Sequence, residues 1–230
     1  MRKTVIVFAN SIRNSGRCVA GKEVQILDNN TIRNLGNWIR PISYKGEGEL
    51  DPSSISMIKK ASIPTLLDVV EIPLIKKAQE KYHPEDWYIN ASEKWLHQGA
   101  LKTRSIHKFL ESPKNLWMER SKKSDRVSTG YIINNKITQS LYLIKVDKFE
   151  IHIVKGFEDK KKARAKFIYN NEQYDLTVTD PNISRKYYPD FKNIKYGRVE
   201  NGPSNSPILC VSLTPPFNGF HYKVVASVIE

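Results

Sequence analysis

Lys166-Phe-Ile-Tyr-Asn-Asn-Glu-Gln-Tyr-Asp-Leu-Thr-Val-Thr179 sets two β-prone runs around an asparagine-rich turn. Asparagine tolerates the left-handed backbone of a tight turn, and the flanking aromatic and β-branched residues suit a pleated, half-buried surface. The stretch therefore reads as an antiparallel hairpin turning at Asn170-Asn171-Glu172. The same texture extends outward. Leu141–Val146 and Phe149–Val154 alternate in part, Asp180-Pro181 closes a strand, and Ile208–Leu213 is joined to Tyr222–Ile229 by Thr214-Pro-Pro-Phe-Asn-Gly-Phe220. Near the other end, Thr4–Phe8, Trp38–Ile42 and Leu66–Ile72 are short runs separated by Gly, Asn and Ser clusters. Short strands, polar turns and no alternation of strand with helix indicate a mainly β chain of small barrels, not a parallel doubly wound sheet.

The middle reads differently. From His83 to about Arg126 the pattern suggests helices: Asn90 or Ser92 as a cap, Ile106, Phe109 and Leu110 at helical spacing, and Ser112-Pro113 as a cap followed by a first-turn proline. Trp87, Trp95 and Trp117 fall here, as large rings that plug a groove between two β units or, alternatively, stack on bases. The expected organisation is a first β unit over 1–82, a helical, Trp-rich connector over 83–128 and a second β unit over 129–230.

Composition narrows the function. The 230 residues carry 37 Lys and Arg against 24 Asp and Glu, a net charge of +13. The excess is spread over both halves, so it is no basic tail, and a folded surface of this sign favours polyanions, nucleic acid first. Met1–Asn10 holds only five consecutive apolar residues, Val5 to Ala9, too few for a secretory core or a membrane span. Cys18 and Cys210 belong to no CxxC pair. Two semi-buried thiols in a reducing cytoplasm are expected.

Enzyme signatures are missing. The one close glycine pair, Gly46-Glu47-Gly48, is neither GxGxxG nor a P-loop, GxSxG does not occur, and His83, His97, His107, His152 and His221 stand singly. No catalytic, metal or cofactor residues are assigned. One nuclease-like pattern, Asp147 with Glu158-Asp159-Lys160, could hold Mg²⁺ on two carboxylates and steady a phosphorane with the lysine. It reads equally as a solvated turn between strands.

The cations form a more coherent pattern. Arg13, Arg17, Lys22, Arg33, Arg40 and Lys45 are opposed in sequence only by Glu23 and Asp28. In the second β unit, Lys160–Lys166 is followed by Arg185-Lys186-Tyr187-Tyr188, Lys192, Lys195-Tyr196 and Arg198. Cations interleaved with rings suit a single-strand groove, where lysines track phosphates and tyrosines stack on bases. They equally suit a barrel surface whose rings cover the core.

Phe8-Ala-Asn-Ser11 with Gly16-Arg-Cys-Val-Ala-Gly21, then Trp38-Ile-Arg-Pro-Ile-Ser43, then Val211-Ser-Leu-Thr214 through Tyr222-Lys-Val-Val-Ala226, with His83-Pro-Glu-Asp-Trp87 between, resemble the prokaryotic dual OB-containing domain family. The resemblance implies two OB-type β-barrels packed in one unit, binding nucleic acid in bacterial defence or mobile-element settings, with no catalytic set. On the residues themselves, Gly16 and Gly21 permit a bend or bulge. Arg17 and Arg40 on neighbouring stiff strands would make a phosphate or base-edge clamp, or else pair with Glu23 or Asp28. Asn10, Ser11 and Asn14 could donate to a phosphate or satisfy their own turn. Ser212 and Thr214 face a pocket or solvent.

The resulting expectation is a cytoplasmic, non-enzymatic protein binding single-stranded DNA or RNA through Asn10, Ser11, Arg13, Arg17, Arg40, Arg185, Lys186, Tyr188 and Lys195. The alternatives are a metal-dependent nuclease, or an adaptor that senses a nucleotide or a protein partner.

Overall fold

Arg2 to Arg13 is one strand, β1, longer than the apolar run Thr4–Phe8 from which it is recognised. Asn10 and Ser11 stay extended because they pair with Val19 and Cys18 across the sheet. The register skips Phe8 between Val7 and Ala9, a bulge that bends β1 so that it pairs on both edges. The computed structural model describes residues 1–13, 16–29, 31–79, 81–117, 124–156, 161–188, 193, 195–197, 199–201 and 206–229. The chain divides into two units, Met1–Leu110 and Glu111–Glu230.

In the first unit, β1 is followed by β2 (Gly16–Ile26), β3 (Ile32–Ile42), β4 (Met57–Ile58), β5 (Asp68–Lys77), β6 (Asp86–Ile89) and β7 (Trp95–Ala100). The pairing order β1-β2-β3-β6-β5 returns to β1, closing a five-stranded barrel with β7 and β4 added beside β5. β3 and β6 run parallel and the other barrel pairs antiparallel. Residues such as Val5, Val7, Val19, Ile39, Val70 and Trp95 fill the interior. Closure removes the open edges that would otherwise pair with other chains.

The second unit contains β8 (Arg126–Ser128), α1 (Thr129–Asn134), β9 (Leu141–Lys145), β10 (Asp147–Lys155), β11 (Lys161–Tyr169), β12 (Glu172–Val178), α2 (Pro181–Tyr187), β13 (Val199–Asn201), β14 (Ile208–Leu213) and β15 (Phe220–Ile229). Only Val146 separates β9 from β10, so Leu141 to Lys155 acts as one interrupted strand. Its first half pairs with β14 and its second with β11, and the path β10-β11-β12-β15-β14-β9 comes full circle on it. β12 and β15 are parallel, in the place that β3 and β6 hold in the first unit. The two units therefore share one strand order. The β11–β12 hairpin turns on Asn170 and Asn171, both at positive φ, with Tyr169 opposite Glu172.

The stretch from His83 is not a helical connector. β6 and β7 belong to the first sheet, and Asn90 and Ser92 join them in a tight turn: the Ser92 amide donates to Asn90 Oδ1 and the Glu93 amide to the Asn90 carbonyl. Polar turn residues ahead of an apolar run serve helix caps and strand-to-strand turns alike, and here the residues that follow pair with β5 and β4 as a strand. The Ile106–Phe109 spacing does mark a helix, a 3-10 helix over Thr103–Phe109 that buries both residues. Beyond it, 111–117 forms no helix. The tryptophans serve separate cores: Trp95 lies in the first barrel with Trp87 against it, whereas Trp117 packs on Tyr142 in the second unit, ring centroids 4.6 Å apart.

Among the described residues no helix is long and apolar enough to cross a membrane. Cys18 is half-buried in β2 and Cys210 buried in β14, neither in a disulfide.

One core lysine links fold to pH. Lys223, buried in β15, donates from Nζ to the Ser124 carbonyl at 2.9 Å. Burial pulls its pKa down to about 8 from 10.5, against the attraction of Asp125. Between those values the unfolded chain holds a proton that the folded chain does not, so stability rises with pH through that window. Below it both forms are charged and the penalty is constant. Lys223→Met is expected to be more stable than wild type at pH 7, with an advantage that shrinks by pH 10. Urea midpoints at both pH values test this, and an unchanged advantage would show that Lys223 does not titrate there.

Candidate nucleic-acid interface

Arg17 and Arg40 lie on adjacent strands but not on one face. Gly21 pairs with Ile39, so alternation puts Arg40 on the outer side of β3 and Arg17 on the side of Val19, which lines the core. The Arg17 backbone exchanges hydrogen bonds with Leu50 at 2.8 Å in both directions. Arg40 is buried: Nε donates to Asp86 Oδ1 at 2.6 Å and Nη2 sits 3.3 Å from Glu85 Oε1. Burial opposes its charge, yet Asp86 and then Glu85 hold its pKa above the ordinary arginine value. Arg40 is thus committed to two acids from the segment leading into β6, and the ion-pair partners are these rather than Glu23 or Asp28.

The other expected residues separate by depth. Asn10 is half-buried and its amide donates to the Pro64 carbonyl at 2.6 Å, while Ser11 is buried in the sheet. Arg13 ends β1, and its side chain and Asn14 lie outside the described residues. Tyr188 is a core residue whose hydroxyl donates to the Ile151 carbonyl at 3.1 Å. Arg185 and Lys186 are exposed on the last turn of α2, Arg185 donating to Asn182 Oδ1 and Lys186 lying over the Tyr187 ring at 5.4 Å. Lys195 is exposed beside Tyr196, and Lys161, from the start of β11, lies 5.6 Å from the Tyr196 ring. Asp147 of the nuclease-like pattern accepts from Ser206 Oγ, whereas Glu158, Lys160, Lys192 and Arg198 lie outside the described residues.

The most exposed aromatic arrangement on the first barrel is one that the cation spacing does not reveal. Tyr44 and Tyr88 stack with ring centroids 3.8 Å apart and planes 4° from parallel. Tyr88 enters the pair because β3 and β6 run parallel with Ile42 opposite Tyr88, and Tyr44 stands two residues past Ile42. A tight turn holds Tyr44: the Lys45 amide donates to Ser43 Oγ, the Ser43 amide donates to the Gly48 carbonyl, and Gly46 and Gly48 take the positive φ that the reversal requires. Tyr44 is 57% exposed, so its outer face is open to solvent.

Cations border this pair. Lys76 lies opposite Tyr88 and Lys77 opposite Trp87, both exposed at the end of β5, and Lys45 is exposed beside Tyr44. Lys76, Lys77, Gln79 and Tyr88 line a half-open pocket of about 250 Å³. OB barrels take oligonucleotides on the face of their second and third strands and in the loops joining the first to second and fourth to fifth strands. Here the barrel strands are β1, β2, β3, β5 and β6, so the pocket sits at the fourth-to-fifth connection. A spaced signal for the pair does exist in the sequence, since Lys76-Lys77 and Trp87-Tyr88 flank one hairpin.

A family model described as the dual OB-containing domain matches residues 3–228. The chain belongs to the dual OB-containing domain family. Membership accounts for the repeated strand order, one OB barrel topology in each unit. No curated protein matches the sequence. Two solved structures resemble this dual OB chain. One is described as the crystal structure of the tetrameric p202 HIN2, at 10% identity and a TM-score of 0.33, covering 100% of this chain and 94% of that one. Another, described as structural mimicry for functional antagonism, has 14% identity and a TM-score of 0.30, covering 99% and 88%. Neither likeness bears on function. Among the described residues of this dual OB protein, no three His, Cys, Asp or Glu side chains gather to hold a metal ion.

Proposed function

We propose that this dual OB protein is a non-enzymatic nucleic-acid-binding protein that recognises single-stranded DNA or RNA. The observation that carries the reading is the exposed Tyr44–Tyr88 stack bordered by Lys45, Lys76 and Lys77 at a ligand-binding loop of an OB barrel. A base in a single strand can extend the stack on the open face of Tyr44, whereas a base locked in a duplex has its faces covered by neighbours. The lysines meet the phosphates on either side. Lys161, Lys195 and Tyr196 repeat the combination of cation and ring on the second unit.

Fluorescence anisotropy with labelled oligonucleotides at a series of salt concentrations tests this. Affinity is expected to fall linearly in log–log form, with a slope of about −0.7 per phosphate engaged, and single strands to bind more tightly than duplex. Tyr44→Ala weakens binding by roughly 5- to 150-fold, as the loss of ~1–3 kcal/mol of stacking requires. No binding, or binding indifferent to salt, would overturn the reading.

A further inference from the structure

The pocket beside the stack has its own chemistry. Its volume of about 250 Å³ is that of roughly eight waters at ~30 Å³ each, at the small end of ligand pockets. A single nucleotide is of a size to fill such a space. Two lysines, one amide and one phenol ring line it, and no carboxylate does among the described residues. Nearby Asp86 and Glu85 are buried against Arg40 and turned to that charge. Lys76 and Lys77 are exposed, both line the pocket, and each carries its ammonium on a flexible stem.

Two ammoniums with no carboxylate lining the pocket beside them, among the described residues, suit a dianion. An internal phosphodiester carries a single charge, whereas a terminal phosphomonoester carries between one and two at neutral pH, with its second pKa near 6, and offers three oxygens to donors. We propose that this pocket captures a phosphorylated strand end: the terminal phosphate lies between Lys76 and Lys77, Tyr88 forms the aromatic wall for the terminal base, and the Gln79 amide meets that base's edge. The inference rests on the nucleic-acid reading and specifies how a strand is seated. A base further along the strand can then reach the open face of Tyr44.

The test compares four labelled oligonucleotides of one sequence: 5′-phosphate, 3′-phosphate, both ends hydroxyl, and the 5′-phosphate capped as a methyl diester. One phosphorylated end is expected to bind about tenfold more tightly than the hydroxyl form, and the arms identify which. The cap abolishes the preference if the 5′ end is the one held. The preference is also expected to weaken below pH 6 as the phosphate takes up its second proton. In Lys76→Gln/Lys77→Gln, whose surface positions leave the barrel core untouched, every ligand binds more weakly and with a shallower salt dependence, and the four converge on one affinity because the phosphorylated end loses most. Equal affinity for all four in the wild type, with binding still falling with salt, overturns end capture and leaves the nucleic-acid reading standing. If none of them binds, both fall.

Discussion

Arg40→Met is expected to lower the stability of the first barrel by about 3–5 kcal/mol, the cost typical of breaking a buried ion pair from one side. The guanidinium is the partner of Asp86 at 2.6 Å and of Glu85 at 3.3 Å, and both carboxylates are buried. Removing it leaves two negative charges in a dry environment with no cation of equal fit. His83 Nδ1 lies 3.7 Å from Asp86 Oδ2. Arg40→Lys keeps a charge but not the planar fork and should fall between Arg40→Met and wild type. Urea unfolding of the full chain at pH 7 measures all three proteins. A folded Arg40→Met with wild-type midpoint and weakened oligonucleotide binding would instead return Arg40 to the interface.

Gly21→Ala is expected to be comparably severe, for a steric reason. A Cβ at Gly21 would lie 2.0 Å from the Ile6 carbonyl oxygen, 2.7 Å from its carbon and 2.5 Å from Val5 Cγ1. Two of those atoms are backbone, and the strand that carries them pairs with both β2 and β5, so β1 cannot move aside without opening the barrel. Overpacking a core costs typically ~1–3 kcal/mol, and a clash with paired backbone belongs at or above the top of that range. The melting temperature of the first unit should fall by roughly 10 °C or more. Gly130→Ala is the control: in α1 an added Cβ comes no nearer than 4.0 Å to Ser128 Oγ, and alanine favours helix. It should be neutral or slightly stabilising. A Gly21→Ala protein melting with wild type would mean that β1 and β2 are less tightly coiled than described.

What could be read in advance was what depends on neighbours in the chain. The Asn170-Asn171 turn, the short β-prone runs and the helical spacing of Ile106 and Phe109 are local, and each lies where its chemistry places it. The stretch from His83 misled because cap residues and turn residues are the same residue types. Asn90 and Ser92 offer one set of side-chain oxygens, and whether these cap a helix or turn the chain between two strands depends on the strand β5 that receives both β6 and β7.

The candidate site divides along the same line. Composition alone establishes a basic, β-rich chain, and the turn chemistry with the run lengths establishes small barrels. Neither says which cations remain available. Arg40 looked like a clamp because proline follows it on a stiff strand, yet the parallel pairing of β3 with β6 brings Asp86 opposite it and spends its charge internally. The same pairing carries Tyr88 to Tyr44 across 44 positions and sets Lys76 opposite that ring. Those contacts follow from barrel closure, which joins strands far apart in sequence. No periodicity within a strand records its partner on the far side of the ring, so the surplus of cations was legible from the amino acids and its address was decided only by the folded barrel.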